Sequence, residues 1–181
     1  MVAKIISKII LERLKEHLYS IIDAEQAGFR PESSFTDHIS TIRILIEQCL
    51  EHRSDLSLVF FDFDKAFDSI YRDCIWTALR NGAVPEKIIC IIRAAYEGAK
   101  FRVFHKNKLS EPFEVRSGVR WGCILSPMLF LIVLGDVLRE AFKLHQASGI
   151  RWSMTSFLQH LDYVNDICLF AQKFPELSVL V

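Results

Sequence analysis

The pattern of apolar residues predicts an α+β domain, with helices packed on one face of an antiparallel sheet. Three observations carry that prediction. Helical and strand-like periodicities follow the order α-α-β-α-α-β-β-α-β-β. Two β-prone apolar segments from distant parts of the chain, 56–62 and 157–170, each bring carboxylates to a turn. Boundaries fall at glycine, proline and asparagine, and no repeat, low-complexity tract or Pro/Ser linker interrupts them.

Taken in order, Ile5, Ile6, Ile9, Ile10, Leu14 and Leu18 recur at helical spacing, with Lys4, Lys8, Glu12, Arg13, Lys15 and Glu16 on the other face. That predicts an amphipathic helix over 3–19. Gln26-Ala27-Gly28-Phe29-Arg30-Pro31 breaks the pattern. A second helix opens near residue 36, capped by Ser34, Thr36 or Asp37, and runs through Ile39, Ile42, Ile46 and Leu50. Residues 56–62, with Leu56, Leu58, Val59, Phe60 and Phe61, read as a buried strand ending in Asp62. Helix follows over 66–80 and stops at Asn81-Gly82. Pro85 opens the next helix, through Ile88, Ile89, Ile92, Ala95 and Tyr96, with Gly98 past its end. Phe101, Val103 and Phe104, then Lys106-Asn107-Lys108, then Phe113 and Val115, predict a hairpin. Residues 118–123 are a loop, and Ser126-Pro127 starts the most apolar helix, over 128–142. A second hairpin pairs 157–163 with 167–170 and places Val164-Asn165-Asp166 at its tip.

Composition sets outer limits. At 181 residues the chain fits one domain, or one domain plus a small appendage, and can bury a proper core. An apolar content of 51%, with seven glycines and five prolines, excludes a disordered chain. The 22 basic and 22 acidic residues cancel, which opposes strong independent nucleic-acid binding but allows a basic face opposite an acidic pocket. Five cysteines, an odd count without CxxC spacing, point to a reducing intracellular compartment, nucleus or cytoplasm, and not to secretion. Lying mostly in apolar stretches, they are expected to pack as small hydrophobes. Six histidines form neither HxxxH nor HExxH, so a zinc site is not expected. The apolar run 128–134 is far shorter than the roughly 20 residues a bilayer requires, so no membrane partner is expected.

The stretch Phe60-Phe61-Asp62-Phe63-Asp64-Lys65-Ala66-Phe67-Asp68-Ser69-Ile70 is the most informative. A carboxylate at the end of an apolar strand contributes little to packing. Asp62 has two readings: a ligand for a divalent metal, or a cap on the following helix. Leu161-Asp162-Tyr163-Val164-Asn165-Asp166 supplies a second carboxylate-tipped strand. A two-metal phosphoryl-transfer site needs this arrangement, because each ion must be clamped between oxygens on separate rigid elements. Gly118-Val119-Arg120-Trp121-Gly122-Cys123-Ile124-Leu125-Ser126-Pro127 is a glycine-bearing loop feeding a helix, which lets backbone approach a ligand closely.

These segments resemble, over nearly the whole chain, the reverse transcriptases of non-LTR (LINE-type) retrotransposons. Gln26-Ala27-Gly28-Phe29-Arg30 with Asp37-His38-Ile39 is similar to the fingers motif; the run from Asp62 to Ser69 resembles palm motif A. Ser117 to Pro127 resembles motif B, and Leu161 to Asp166 resembles motif C, usually Tyr-Ala-Asp-Asp. The resemblance implies a right-hand polymerase, with partial fingers over 1–55 and a partial palm over 56–181. It further implies that Asp62 and Asp166 hold Mg2+ or Mn2+, and that the partners are an RNA template, a DNA primer and a dNTP. Phe67 matches the residue that excludes a ribose 2′-hydroxyl, its other reading being a core aromatic. Trp121 and Gly122 match positions near the nucleotide, and Arg30 one near template or nucleotide, its other reading being a solvated loop arginine. Asp64 and Asp68 read as surface or capping residues.

Two residues depart from the family pattern. Asn165 stands where the family places its second essential metal-binding aspartate. An amide is neutral, and a hard dication favours anionic oxygen. Trp121 replaces the glutamine of motif B, and an indole donates one hydrogen bond and accepts none. The chain also starts inside a helical pattern and stops soon after motif C, without thumb or endonuclease, and is expected to be cut from something longer. Little or no polymerase activity is therefore expected. Three readings stand: a metal-dependent RNA-directed DNA polymerase domain, an inactive relict that binds nucleic acid weakly or acts in interactions, and a plain α+β interaction domain.

Overall fold

The computed structural model describes residues 2–30, 33–120, 122–143, 149–153 and 156–173. By internal contacts the chain forms two units, each drawn from separated stretches: Met1–Ile21 with Lys65–Asp136, and Ile22–Asp64 with Val137–Val181.

The first unit is mainly helical. Its elements are α1 (Val2–Ile21), α3 (Ala66–Ser69), α4 (Arg72–Asn81), α5 (Glu86–Tyr96) and the first part of α6 (Ser126–Lys143). Ile10 and Leu14 of α1 are buried, as are Ile75, Leu79, Ile89, Ile92, Leu129 and Ile132; Ile5, Ile6 and Ile9 remain about half exposed. The single helix expected over 66–80 is broken. Ile70 turns extended (φ −63°, ψ 127°), and Tyr71 forms an antiparallel bridge with Ser117. Tertiary pairing there outweighs local helix propensity. The expected first hairpin is two nested pairs, β2 (Lys100–Phe101) with β5 (Phe113–Glu114) and β3 (Phe104–His105) with β4 (Lys108–Leu109). Lys106 and Asn107 close it with φ of 46° and 57°, the left-handed pair a tight hairpin turn uses.

The second unit carries the main sheet. Helix α2 (Phe35–His52) starts with a capping box: the Ser34 hydroxyl accepts from Thr36 N, and the Asp37 carboxylate accepts from Ser34 N. Strands β1 (Ser57–Asp62), β8 (His160–Tyr163) and β9 (Asp166–Ala171) form an antiparallel sheet in the order β1-β9-β8. A short pair, β6 (Ile150–Arg151) with β7 (Phe157–Leu158), accompanies it; Ile150–Arg151 carried no strand signal in the sequence.

Strand alternation sorts the side chains by face. Leu58, Cys168, Phe170 and Leu161 join Leu45, Ile150 and Leu158 in one cluster, with Ile42 of α2 packed against it. His160 and Asp162 point to the opposite face, where Phe142 of α6 stacks on His160 at 4.6 Å. Helices therefore back both faces, where the sequence predicted one. The expected buried strand at 56–62 is a half-exposed edge, with Phe60 69% exposed. The cysteines also differ from expectation: Cys168 is buried, but Cys74 and Cys90 are exposed and Cys49 and Cys123 lie between. Among the described residues no helix is long and apolar enough to cross a membrane.

Candidate active site

In the second unit, the sheet register places Asp62 opposite Asp166 as the last pair of β1 and β9. Tyr163 faces Asp166 from β8. Direct cross-strand neighbours share a face, so the two carboxylates project together beyond the apolar cluster. Val164 and Asn165 make the two-residue connection between β8 and β9. From that turn the Asn165 side-chain amide donates to Asp62 Oδ1 at 2.7 Å. An ionised carboxylate only accepts, so the amide must present its nitrogen and not its oxygen. The nitrogen supplies to Asp62 part of what a cation would supply.

The donor set decides what ion it suits. Asp62 and Asp166 offer anionic oxygens, the chemistry Mg2+ or Mn2+ prefers. Among the described residues no group of three or more His, Cys, Asp or Glu is arranged to hold a metal. With its amide nitrogen turned to Asp62, Asn165 offers that carboxylate a donor and not a further oxygen for an ion. Asp64 and Asp68 are exposed and outside this arrangement.

The turn is anchored from the other end of the unit. Residues 25–27 run parallel to β8, where Ala27 N donates to Asp162 O (2.9 Å) and Asp162 N to Glu25 O (3.0 Å). The Gln26 side chain then reaches the turn. Its Oε1 accepts from Val164 N (2.9 Å) and Gly28 N (2.7 Å), and its Nε2 donates to Val164 O (3.3 Å). Gly28 has no room for a side chain: a Cβ there would lie 2.7 Å from Val164 Cγ2 and 2.8 Å from Gln26 Oε1. Val164 itself has φ of 60°, a strained conformation for a β-branched residue. Gln26 lay inside a sequence motif but carried no assigned role; a buried polar residue needs partners, and only the fold shows that they are the turn.

Beneath the acidic end, His160 Nε2 lies 3.3 Å from Asp162 Oδ2, and both residues are buried. That separation is ion-pair range when the imidazole is protonated; among the described residues His160 Nδ1 and Nε2 and Asp162 Oδ1 make no hydrogen bond of good geometry. Burial pushes the imidazole down, but Asp162, Glu25 and Asp23 together raise it above its ordinary value. Burial raises the Asp162 carboxyl more than His160 lowers it. The Cys168 thiol is pushed up to about 11, by burial first and then by Asp162. Arg30 donates to Asp23 O at 2.6 Å, which ties its guanidinium to the local backbone.

In the first unit, the 117–120 loop is pinned to the segment that follows Asp62 in sequence. Gly118 N donates to Ile70 O (2.7 Å) and Val119 N to Phe67 O (2.8 Å). Gly118, at φ of 75°, sits where a Cβ would meet Asp68 Cα and Phe67 O at 2.8 Å. Gly122 has a similar φ of 73° but open space beside it. The Phe67 ring packs on Phe130 at 4.8 Å and stays partly exposed. Ser126 Oγ donates to Arg120 O at 2.6 Å, tying the loop to the start of α6. Trp121 lies outside the described residues.

A family model described as reverse transcriptase (RNA-dependent DNA polymerase) matches residues 1–179. The chain is similar to the Pol polyprotein of the type-2 retrotransposable element R2DM from Drosophila melanogaster, 27% identical over 159 residues, covering 88% of this chain and 15% of that protein. It is also similar to the 149 kDa protein of transposon TX1 from Xenopus laevis, 29% identical, covering 97% of this chain and 13% of that protein. The chain thus spans about a seventh of the length of these relatives. Among solved structures, apo telomerase from Candida tropicalis superposes with a TM-score of 0.72 at 13% identity, covering 95% of this chain and 32% of that one. That likeness shows the right-hand polymerase fold, and the family match removes the plain interaction domain as a reading. The chain belongs to the reverse transcriptase (RNA-dependent DNA polymerase) family, as a domain of the non-LTR, LINE-type kind.

Proposed function

We propose that this chain is the partial fingers (1–55) and partial palm (56–181) of an RNA-directed DNA polymerase whose metal site is impaired by Asn165. Its template would be RNA, its primer DNA and its substrate a dNTP, in an intracellular setting, nucleus or cytoplasm. The observation that carries the reading is the 2.7 Å hydrogen bond from Asn165 to Asp62. A pair of carboxylates at the tips of adjacent strands suits nucleotidyl transfer, and an amide donor set between them weakens its metal binding.

Asp62 and Asp166 would hold one Mg2+ or Mn2+. When bound, the ion would lower the pKa of the primer 3′-hydroxyl and neutralise phosphate charge. The protein's own contribution is positional: the β1-β9 register holds both carboxylates on one face, and the turn sets Asn165 beside them. Phe67 is assigned the exclusion of the ribose 2′-hydroxyl, and Arg30, Trp121 and Gly122 contacts to nucleotide or template. Loss of a charged ligand at such a centre costs about a thousandfold in rate, or roughly 4 kcal/mol.

The same hydrogen bond also favours a second reading, an inactive domain that at most binds nucleic acid weakly or serves as an interaction module. Primer extension on an RNA template with Mg2+ or Mn2+ separates the two, using wild type beside Asn165→Asp/Trp121→Gln. Activity only in the double variant supports the impaired polymerase. Activity in the wild type overturns the impairment, and silence in both favours the non-catalytic domain.

A further inference from the structure

We infer that Gln26 is the positioning residue of the β8-β9 turn: its side chain sets the backbone that carries Asn165 and Asp166. The inference rests on reading that turn as the metal-bearing turn of a polymerase palm.

Gln26 is 4% exposed, and one side chain serves three backbone groups. Its single oxygen accepts from both Gly28 N and Val164 N, while its nitrogen donates to Val164 O. Val164 N and O both face the amide, so the peptide planes on either side of Val164 are fixed by it. Asn165 is the next residue, and the direction of its side chain depends on those planes.

The surroundings leave this arrangement little freedom. Gln26 cannot slide along the chain, because its neighbours Glu25 and Ala27 are paired to Asp162 on β8. Its oxygen is held beside Gly28 by the bond from Gly28 N, in space that a Cβ at Gly28 would take, 2.8 Å from Gln26 Oε1. Val164 needs the support, since an unaided valine avoids a φ of 60°. A strained residue persists only where its surroundings over-determine it. A two-residue turn without such a clamp would relax and carry Asn165 off Asp62.

Glutamine is suited to this by its mixed chemistry. Glutamate keeps the shared acceptor for both N–H groups but sets a carboxylate against Val164 O. Alanine removes all three bonds. The test is residue-resolved amide hydrogen exchange on the full chain as wild type, Gln26→Ala and Gln26→Glu. Loss of one buried hydrogen bond predicts roughly tenfold faster exchange at Val164 in Gln26→Ala. Leu169 and Phe170 in β9 should be unchanged, and Gln26→Glu should restore most of the protection at Val164. Unchanged protection of Val164 in Gln26→Ala overturns the inference. So does uniform loss across β1, β8 and β9, which would make Gln26 an ordinary structural residue. Should Gln26→Ala fail to fold, Gln26→Glu decides alone: retained protection at Val164 supports the clamp and lost protection overturns it.

A second readout separates this from the polymerase reading. On the Asn165→Asp background, Mn2+ binding is followed by paramagnetic broadening of the Asp166 and Asp62 resonances. If Gln26 positions the turn, Gln26→Ala weakens Mn2+ binding about tenfold and Gln26→Glu recovers it. Absence of any Mn2+ binding by Asn165→Asp would count against the metal-site reading, while the exchange data would still decide the role of Gln26.

Discussion

Asn165 gives its amide to Asp62 across 2.7 Å, from the turn residue that precedes Asp166. The bond is charge-assisted on the acceptor side, but Asp62 is exposed and water competes for it. Asn165→Asp turns this attraction into repulsion between carboxylates, with Asp166 facing Asp62 as well. We expect the variant to lose about 1 kcal/mol without metal. Millimolar Mg2+ or Mn2+ should recover the loss, since a ligand that binds only the folded state stabilises it in proportion to its occupancy. Thermal unfolding with and without the ion checks this. Equal metal response in wild type and variant would mean that Asn165 does not govern the site.

The buried pair on the opposite face predicts how stability depends on pH. His160 is raised on folding: burial opposes the shift, but Asp162, Glu25 and Asp23 more than reverse it. A raised imidazole gives stability that is complete below its ordinary value of 6.5 and is lost as pH climbs through the raised value. Asp162 and Asp23, both raised by burial, act with the same sign, beginning near 3.8. His38, lowered by burial, acts with the opposite sign, but its window closes at 6.5. Above 6.5 the slope therefore includes His160 without His38. The melting temperature should fall between pH 6.5 and 8. His160→Leu/Asp162→Leu should flatten that slope without large loss of stability, as apolar replacement of a buried pair often does. A rising melting temperature over that interval would contradict the pairing.

The acidic ends of β1 and of the β8-β9 turn were legible in the sequence because a carboxylate at the end of an apolar run has no packing reason to be there. Helix α2 was legible through its capping residues, although only the fold chose Ser34 among three candidates and gave Asp37 the return bond. What stayed hidden depended on partners distant in the chain. The break at Ile70 is caused by Ser117 and Gly118, and no residue near it signals a helix end. The exposure of Phe60 follows from β1 lying at a sheet edge, which strand periodicity cannot report. The role of Gln26 arises from Val164, 138 residues away.

Cysteine reactivity tests the sheet order directly. Cys168 is on the central strand, buried, with its thiol pushed up to about 11, so at pH 8 it is almost entirely protonated and inaccessible. Cys74 and Cys90 are exposed on α4 and α5. Brief iodoacetamide treatment of the native chain, followed by peptide mass mapping, should label Cys74 and Cys90 and leave Cys168 unmodified until denaturant is added. Early labelling of Cys168 would mean that β9 is not the covered centre of the sheet.

The two loop glycines of the first unit separate conformational strain from crowding. Gly118 and Gly122 have φ of 75° and 73°, so alanine at either place must adopt a left-handed backbone, at about 1–2 kcal/mol. Only Gly118 is also crowded: a Cβ there would strike the backbone at Asp68 Cα, Phe67 O and Asp68 O, none of which belongs to a flexible side chain. Overpacking of that kind adds about 1–3 kcal/mol. It would also pull on the bonds from Gly118 N to Ile70 O and from Val119 N to Phe67 O. Gly118→Ala should therefore lower the unfolding free energy by about 2–5 kcal/mol, against about 1–2 kcal/mol for Gly122→Ala, as read by urea titration. Equal losses would show that the 117–120 loop is free to move away from the Phe67–Ile70 segment.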